Sequence, residues 1–159
     1  LAFASDRPRR EHGAVAVEEV LKNVEDFGLK QLERRGRIKV DRKISNVGVI
    51  NGDAVALERM LLNLIKNAGE AMPKGGTLTF EVGEDDGKAI FVVGDTGGGI
   101  PEEIRGRLFQ MFVTAGKAGG SGLGLAMAKR TVDQHGGTID VKSETNIGTR
   151  FTILIPKGK

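Results

Sequence analysis

From Ala54 to Met72 apolar residues return every three or four positions, at Leu57, Met60, Leu61, Leu64, Ala68 and Ala71, which predicts a helix with one apolar stripe to bury. Asp53 precedes it, placed to accept the unpaired backbone N–H groups of its first turn. Thr77 to Glu84 and Lys88 to Val93 alternate instead with a period of two, and Asp85-Asp86-Gly87 between them is a hairpin signal. A long amphipathic helix followed directly by a hairpin restricts the chain to folds that layer helix on sheet.

The remaining segments fit that restriction. Val17, Val20, Leu21, Val24, Phe27 and Leu32 predict a second amphipathic helix over 15–35, ended by Gly36. Ile38, Val40 and Ile44, then Val47, Val49 and Ile50, predict two short strands. Pro101 and the acidic pair Glu102-Glu103 open a short helix through Leu108, as the helix dipole prefers. Leu123 to His135 reads as helix, Thr138 to Val141 as strand, and Thr149 to Ile155 as a last strand after the turn at Asn146-Ile147-Gly148. The expectation is an α/β two-layer sandwich: one mixed, mostly antiparallel sheet with three helices on one face.

Composition narrows what such a domain does. A length of 159 residues suits one core. Residues 1–12 read as a linker and 13–159 as the domain, because Ser5 to Gly13 is polar, basic and interrupted by Pro8. The chain begins with Leu1, so it reads as a piece of something longer. No apolar run approaches the ~20 residues of a membrane span. There is no cysteine, which excludes disulfides and thiolate zinc sites and is compatible with the cytoplasm. A net charge of +3, with Tyr and Trp absent and Phe dispersed, gives nucleic acid no stacking platform, and Arg7, Arg9 and Arg10 read as a solvated linker.

Three clusters carry chemistry. Gly119-Gly120 and Ser121-Gly122-Leu123-Gly124-Leu125 lead into a helix, a pattern whose open backbone and free N–H groups suit a phosphate. Many such runs merely join two elements. The glycine- and serine-rich stretch from Phe112 to Gly122 predicts a segment that moves until something binds. Asn63 and Asn67 lie about 40° apart on the long helix, with Glu70 beside them, on the border of the apolar stripe. Asparagine is a poor residue inside a helix, so two there are either amides satisfied by neighbouring backbone or oxygen donors for a hard cation and its phosphates. Asp95, just past an apolar strand and followed by Gly97-Gly98-Gly99, is either a turn residue or an acceptor aimed at a ligand's amine.

Taken in order, Asn63-Leu64-Ile65-Lys66-Asn67-Ala68, Asp95-Thr96-Gly97-Gly98-Gly99-Ile100, Phe109-Gln110-Met111-Phe112, Gly120-Ser121-Gly122-Leu123-Gly124-Leu125 and Gly148-Thr149-Arg150-Phe151 resemble the boxes of the catalytic and ATP-binding domain of bacterial two-component sensor histidine kinases. The likeness covers about Asn51 to Pro156 and implies the Bergerat ATP-binding fold with a flexible ATP lid. It also implies a protein histidine kinase using ATP and Mg2+. Its partners would be the dimerisation and phospho-acceptor domain of the same kinase and a downstream response regulator. On the resemblance, Asp95 takes the adenine amine with Thr149 in support, and Gly97, Gly99 and Ile100 shape the adenine side. Asn67 holds magnesium with Asn63 beside it. Lys66 and Lys117 supply cations, Lys117 for the γ-phosphate, and Gly120 to Leu125 form the lid hinge and the phosphate-facing helix start.

Related ATP-hydrolysing members of this fold carry a glutamate where this chain has Asn63, and an amide takes no proton from water. Glu58 lies about 140° around the helix from Asn63 and does not replace it. His12 and His135 read as connector and helix-end residues, so the phospho-acceptor is expected outside this chain. The chain departs from the family's pattern in three ways: Glu70 where a basic residue is common, Gln110-Met111 in the phenylalanine box, and Gly94 before Asp95, which predicts a looser strand end. The alternatives are a serine kinase of the same fold and a nucleotide-sensing module that transfers nothing.

Overall fold

The computed structural model describes residues 12–109 and 123–158. Strand β1 (Gly13–Ala16) leads into helix α1 (Val17–Val24), a π-helical turn (Glu25–Leu29) and α2 (Lys30–Arg34). Strands β2 (Ile38–Ile44) and β3 (Val49–Gly52), helix α3 (Ala54–Glu70), and strands β4 (Gly76–Asp85) and β5 (Lys88–Asp95) follow. The chain then forms α4 (Glu102–Arg105), α5 (Leu123–Gln134), β6 (Thr138–Glu144) and β7 (Gly148–Pro156). The main sheet has the order β2-β4-β5-β7-β6. Its β2–β4 pair is parallel and its other pairs are antiparallel.

The expected mixed, mostly antiparallel sheet is present, and so is a small one beside it. Spacing alone puts Val15 at the head of a helix. Instead Gly13–Ala16 pairs antiparallel with Val49–Gly52, bringing Val15 opposite Ile50. Both side chains are buried, so burying two β-branched residues against each other outweighs one more helical turn. The Asn51 N–H donates to the Lys157 carbonyl at 3.0 Å, which ties this ribbon to the end of β7.

The helix expected over 15–35 forms from Val17 and carries the π turn at its centre. There Gly28 lies so close to α3 that a Cβ would sit 2.9 Å from Leu62 Cδ2. Arg42 of edge strand β2 pairs with Glu25 at the start of that turn (Nε–Oε1, 2.6 Å) and with Glu33 in the helix beyond it (Nη2–Oε1, 2.7 Å). These bonds hold the Glu33 carboxyl below its ordinary range and raise the Arg42 guanidinium further above its own.

Asp53 caps α3 through Oδ1, which accepts from the N–H groups of Val55 (3.0 Å) and Ala56 (3.1 Å). Leu57, Leu61, Leu64 and Ile65 of α3 are buried on the same core as Leu78, Phe80, Phe91 and Ile153 of the sheet. Truncating one such leucine to alanine costs about 2–5 kcal/mol. The β4–β5 hairpin turns at Asp86 (φ 51°) and Gly87 (φ 74°), the two positive angles of a type I′ turn. Along β4, Leu78, Phe80 and Val82 are buried while Thr77, Thr79 and Glu81 are half-buried, so the helices cover one sheet face. The short helix expected from Pro101 through Leu108 is a single turn, with Leu108 buried beyond it.

Candidate functional site

Strand β5 positions the first candidate. Its ladder runs unbroken through Gly94, paired with Thr79 on one side and Arg150 on the other, to Asp95, paired with Leu78 and Thr149. Gly94 therefore leaves the strand end firm. Asp95 Oδ1 accepts from the Gly97 N–H at 2.8 Å, which orients the carboxylate at the rim of the core. A Cβ on Gly97 would lie 2.2 Å from the Ala71 carbonyl oxygen, so the turn after Asp95 lies flat against the C-terminal end of α3. Gly99 has φ +80°, and a Cβ there would meet the Glu144 carbonyl at 2.5 Å.

Thr149 is buried, and its Oγ1 lies 2.9 Å from Ser143 Oγ. Ser143 Oγ also accepts from the Ile100 N–H at 2.8 Å, so one hydroxyl joins β6, β7 and the glycine-rich turn. Ser143 escapes sequence reasoning because only the register of β6 on β7, Ser143 opposite Thr149, brings it here. Thr96 was likewise unmarked. Its Oγ1 accepts from the Thr77 N–H at 3.0 Å and lies 3.7 Å from Met72 Sδ, closing the other side of the turn.

The second candidate is α3 itself. Asn63 and Asn67 are half-buried and Lys66 and Glu70 are exposed, so the amides border the apolar stripe as the spacing predicts. The Ala71–Gly97 contact puts the asparagine end of α3 beside the Asp95 turn. Glu58 faces α1, where Asn23 Nδ2 donates to its Oε2 at 3.0 Å. That bond directs Glu58 away from the asparagine border. Among the described residues no group of three His, Cys, Asp or Glu could hold a metal; Asn63 and Asn67 carry amide oxygens, a donor type that hard cations accept.

Helix α5 packs antiparallel along α3: His135, just past its end, bonds to the backbone of Asp53 at the start of α3. At about 1.5 Å per residue, its 12 residues span about 18 Å, enough for its start to reach the second half of α3. Leu125 packs against the core. Lys117, Gly120, Ser121, Gly122, the segment expected to move and Gln110-Met111 lie outside the described residues. Ile100 is buried beside Ser143. Asp95, Gly97, Gly99, Ile100 and Thr149 are thus gathered at one end of the sheet, with Asn63 and Asn67 on the adjoining helix. Among the described residues no helix is long and apolar enough to cross a membrane.

Comparison with known proteins bears on what this arrangement does. The profile of the family described as histidine kinase-, DNA gyrase B-, and HSP90-like ATPase matches residues 52–159. The circadian input-output histidine kinase CikA of Synechococcus elongatus is 38% identical over 137 residues, covering 81% of this chain and 18% of that protein. The solved mycobacterial sensor histidine kinase MprB superposes with a TM-score of 0.78 at 32% identity, covering 92% of this chain and 98% of that one. Full-length ShkA, solved in complex with AMPPNP, gives a TM-score of 0.80 at 27% identity, covering 96% of this chain and 32% of that one. The chain spans about a fifth of the length of curated relatives such as CikA and sporulation kinase D of Bacillus subtilis.

Proposed function

The chain belongs to the histidine kinase-, DNA gyrase B- and HSP90-like ATPase family, and from that premise we propose that it binds ATP with magnesium and transfers the γ-phosphoryl group to a histidine on a separate phospho-acceptor domain. Its relatives are named sensor histidine kinases. On this reading residues 13–159 are the cytoplasmic catalytic unit of a two-component kinase and 1–12 its linker, with a response regulator receiving the phosphoryl group downstream.

The observation that carries the reading is the Asp95 carboxylate, turned by the Gly97 N–H at the end of a buried strand opposite buried Thr149. A carboxylate only accepts, so it selects a ligand that presents an amine, as adenine does. Thr149 and Ser143 back that edge, and Ile100, Gly97 and Gly99 wall it. Asn63 and Asn67 suit magnesium, which takes few protein oxygens and keeps the rest of its shell for phosphates and water. Asn67 would hold the ion, which supplies charge neutralisation across the phosphates. Lys66, Lys117 and the backbone from Gly120 to Leu125 complete the phosphate side.

Asn63 supports transfer over hydrolysis, since an amide takes no proton from water and Glu58 is turned toward Asn23. Phosphoryl transfer needs positioning and charge stabilisation rather than a nucleophile of the enzyme's own. The bond from the γ-phosphorus to the bridging oxygen breaks, a phosphorus–nitrogen bond forms at the acceptor histidine, and ADP leaves. The test incubates this chain and labelled ATP with a phospho-acceptor domain and a response regulator. Acid-labile label on the acceptor, passing to the regulator, is the expected result. Acid-stable label would instead mark a serine kinase, and ATP binding without transfer a nucleotide-sensing module.

A further inference from the structure

His135 is absent from the site derived above, yet it is one of two buried polar or charged residues among those described, at 7% exposure. Its Nδ1 lies 2.7 Å from the Thr131 carbonyl oxygen, which only accepts, so Nδ1 carries a proton. Its Nε2 accepts from the Asp53 N–H at 3.0 Å across 82 positions of sequence, so Nε2 carries none. Only the neutral imidazole satisfies both bonds. The ring lies in a slot made for it: a Cβ on Gly52 would stand 2.7 Å from Cδ2 and from Nε2. The His12 ring stacks on it with centroids 4.5 Å apart.

We propose that His135 is a positioning residue for the nucleotide site: neutral, it fastens the end of α5 to the start of α3, and protonated it lets the two helices shift. An imidazolium offers no lone pair to the Asp53 N–H, so a donor then faces a donor. The bond joins the helix that carries Asn63 and Asn67 to the helix packed on it, which is long enough for its start to reach them. The coupling to nucleotide rests on the preceding proposal; the fastening itself does not.

The charged and titratable groups around the ring come from three elements. Asp53 precedes α3, with Oδ1 taken up by Val55 and Ala56. His12 precedes β1. Asp133, on α5 itself, is paired with Lys129. Burial pushes the His135 proton affinity down most strongly and His12 adds to that, while the Thr131 carbonyl and Asp53 oppose; the balance lies below the ordinary histidine value. A histidine held low in the folded state contributes stability that is complete above its unfolded value of about 6.5 and is lost as pH falls through the folded value.

The test follows ring nitrogens and backbone amides of the 159-residue chain by NMR from pH 8 to 5 without nucleotide, then measures Mg-ATP affinity over the same range for wild type and His135→Gln. The expected ring is the Nδ1–H form. Protection of the Asp53 amide, corrected for intrinsic exchange, should fall about tenfold as His135 titrates, the scale of one lost buried bond. Affinity for Mg-ATP should fall over the same interval in wild type and lack that step in His135→Gln, a comparison that cancels the nucleotide's own titration. An Asp53 amide indifferent to His135, or the same affinity step in both proteins, overturns the proposal. No ATP binding at any pH refutes the nucleotide reading and the coupling with it, while the nucleotide-free titration still decides whether the fastening exists.

Discussion

The two ends of α3 are held by different physics. At its start, hydrogen bonds do the work: Asp53 Oδ1 takes the N–H groups of Val55 and Ala56, and His135 Nε2 takes the N–H of Asp53 itself. At its other end the hold is chiefly contact, with Gly97 flat against the Ala71 carbonyl, and a weak hydrogen bond that the Thr96 hydroxyl donates to Met72 Sδ at 3.7 Å adds to it. The bonded end tolerates the loss of the Asp53 cap at moderate cost, because water reaches the exposed N–H of Val55 in its place. The contact end has no such substitute, since an added atom occupies space that backbone already fills. The proposed nucleotide site lies at the contact end, where the turn after Asp95 is pressed against backbone at Gly97 and Gly99.

Three substitutions sharpen that contrast. Gly97→Ala should be the most damaging, with a Cβ 2.2 Å from the Ala71 oxygen forcing the turn off α3. A loss of about 3 kcal/mol in denaturant unfolding is expected, and an unchanged midpoint would mean that the two ends do not differ. Asn67→Ala comes next. It should weaken nucleotide binding about tenfold and abolish its magnesium dependence, leaving thermal unfolding nearly unchanged because the amide is half-buried on the border of the stripe. A large drop in melting temperature would make Asn67 a packing residue. Asp53→Ala should cost about 1 kcal/mol, the ordinary worth of an N-cap. Hydrogen exchange should show that loss confined to the first turn of α3, and loss of protection as far as Asn63 would show that the ends are not separable.

Much of this was readable from residue order, for reasons that differ by element. The α3 stripe, the Asp53 cap and the Asp86-Gly87 hairpin are local: each signal lies within one element and survives in the fold unchanged. The place of Asp95 at the end of β5 was readable because the alternation from Lys88 to Val93 stops just before it, whereas the role proposed for it comes from the family resemblance. The β1–β3 ribbon was not, since Gly13–Ala16 is too short to show a period and its partner lies more than thirty positions away. The π turn escaped as well, since the close approach of its Gly28 to Leu62 involves another helix and leaves no mark in the local sequence. Ser143 and the bond from His135 to Asp53 depend on strand register and helix docking, which no window of sequence contains.

The central claim is that the end of β5 reads a nucleotide's amine through Asp95. Calorimetric titration of Mg-ATP into this chain and into Asp95→Asn tests it most directly, with circular dichroism to establish that both are folded. The expected result is saturable binding by wild type and a loss of at least about a hundredfold in the variant, whose amide sets a donor against the adenine amine while its buried backbone partners stay in place. Equal binding by both proteins, or none by folded wild type, would contradict the claim.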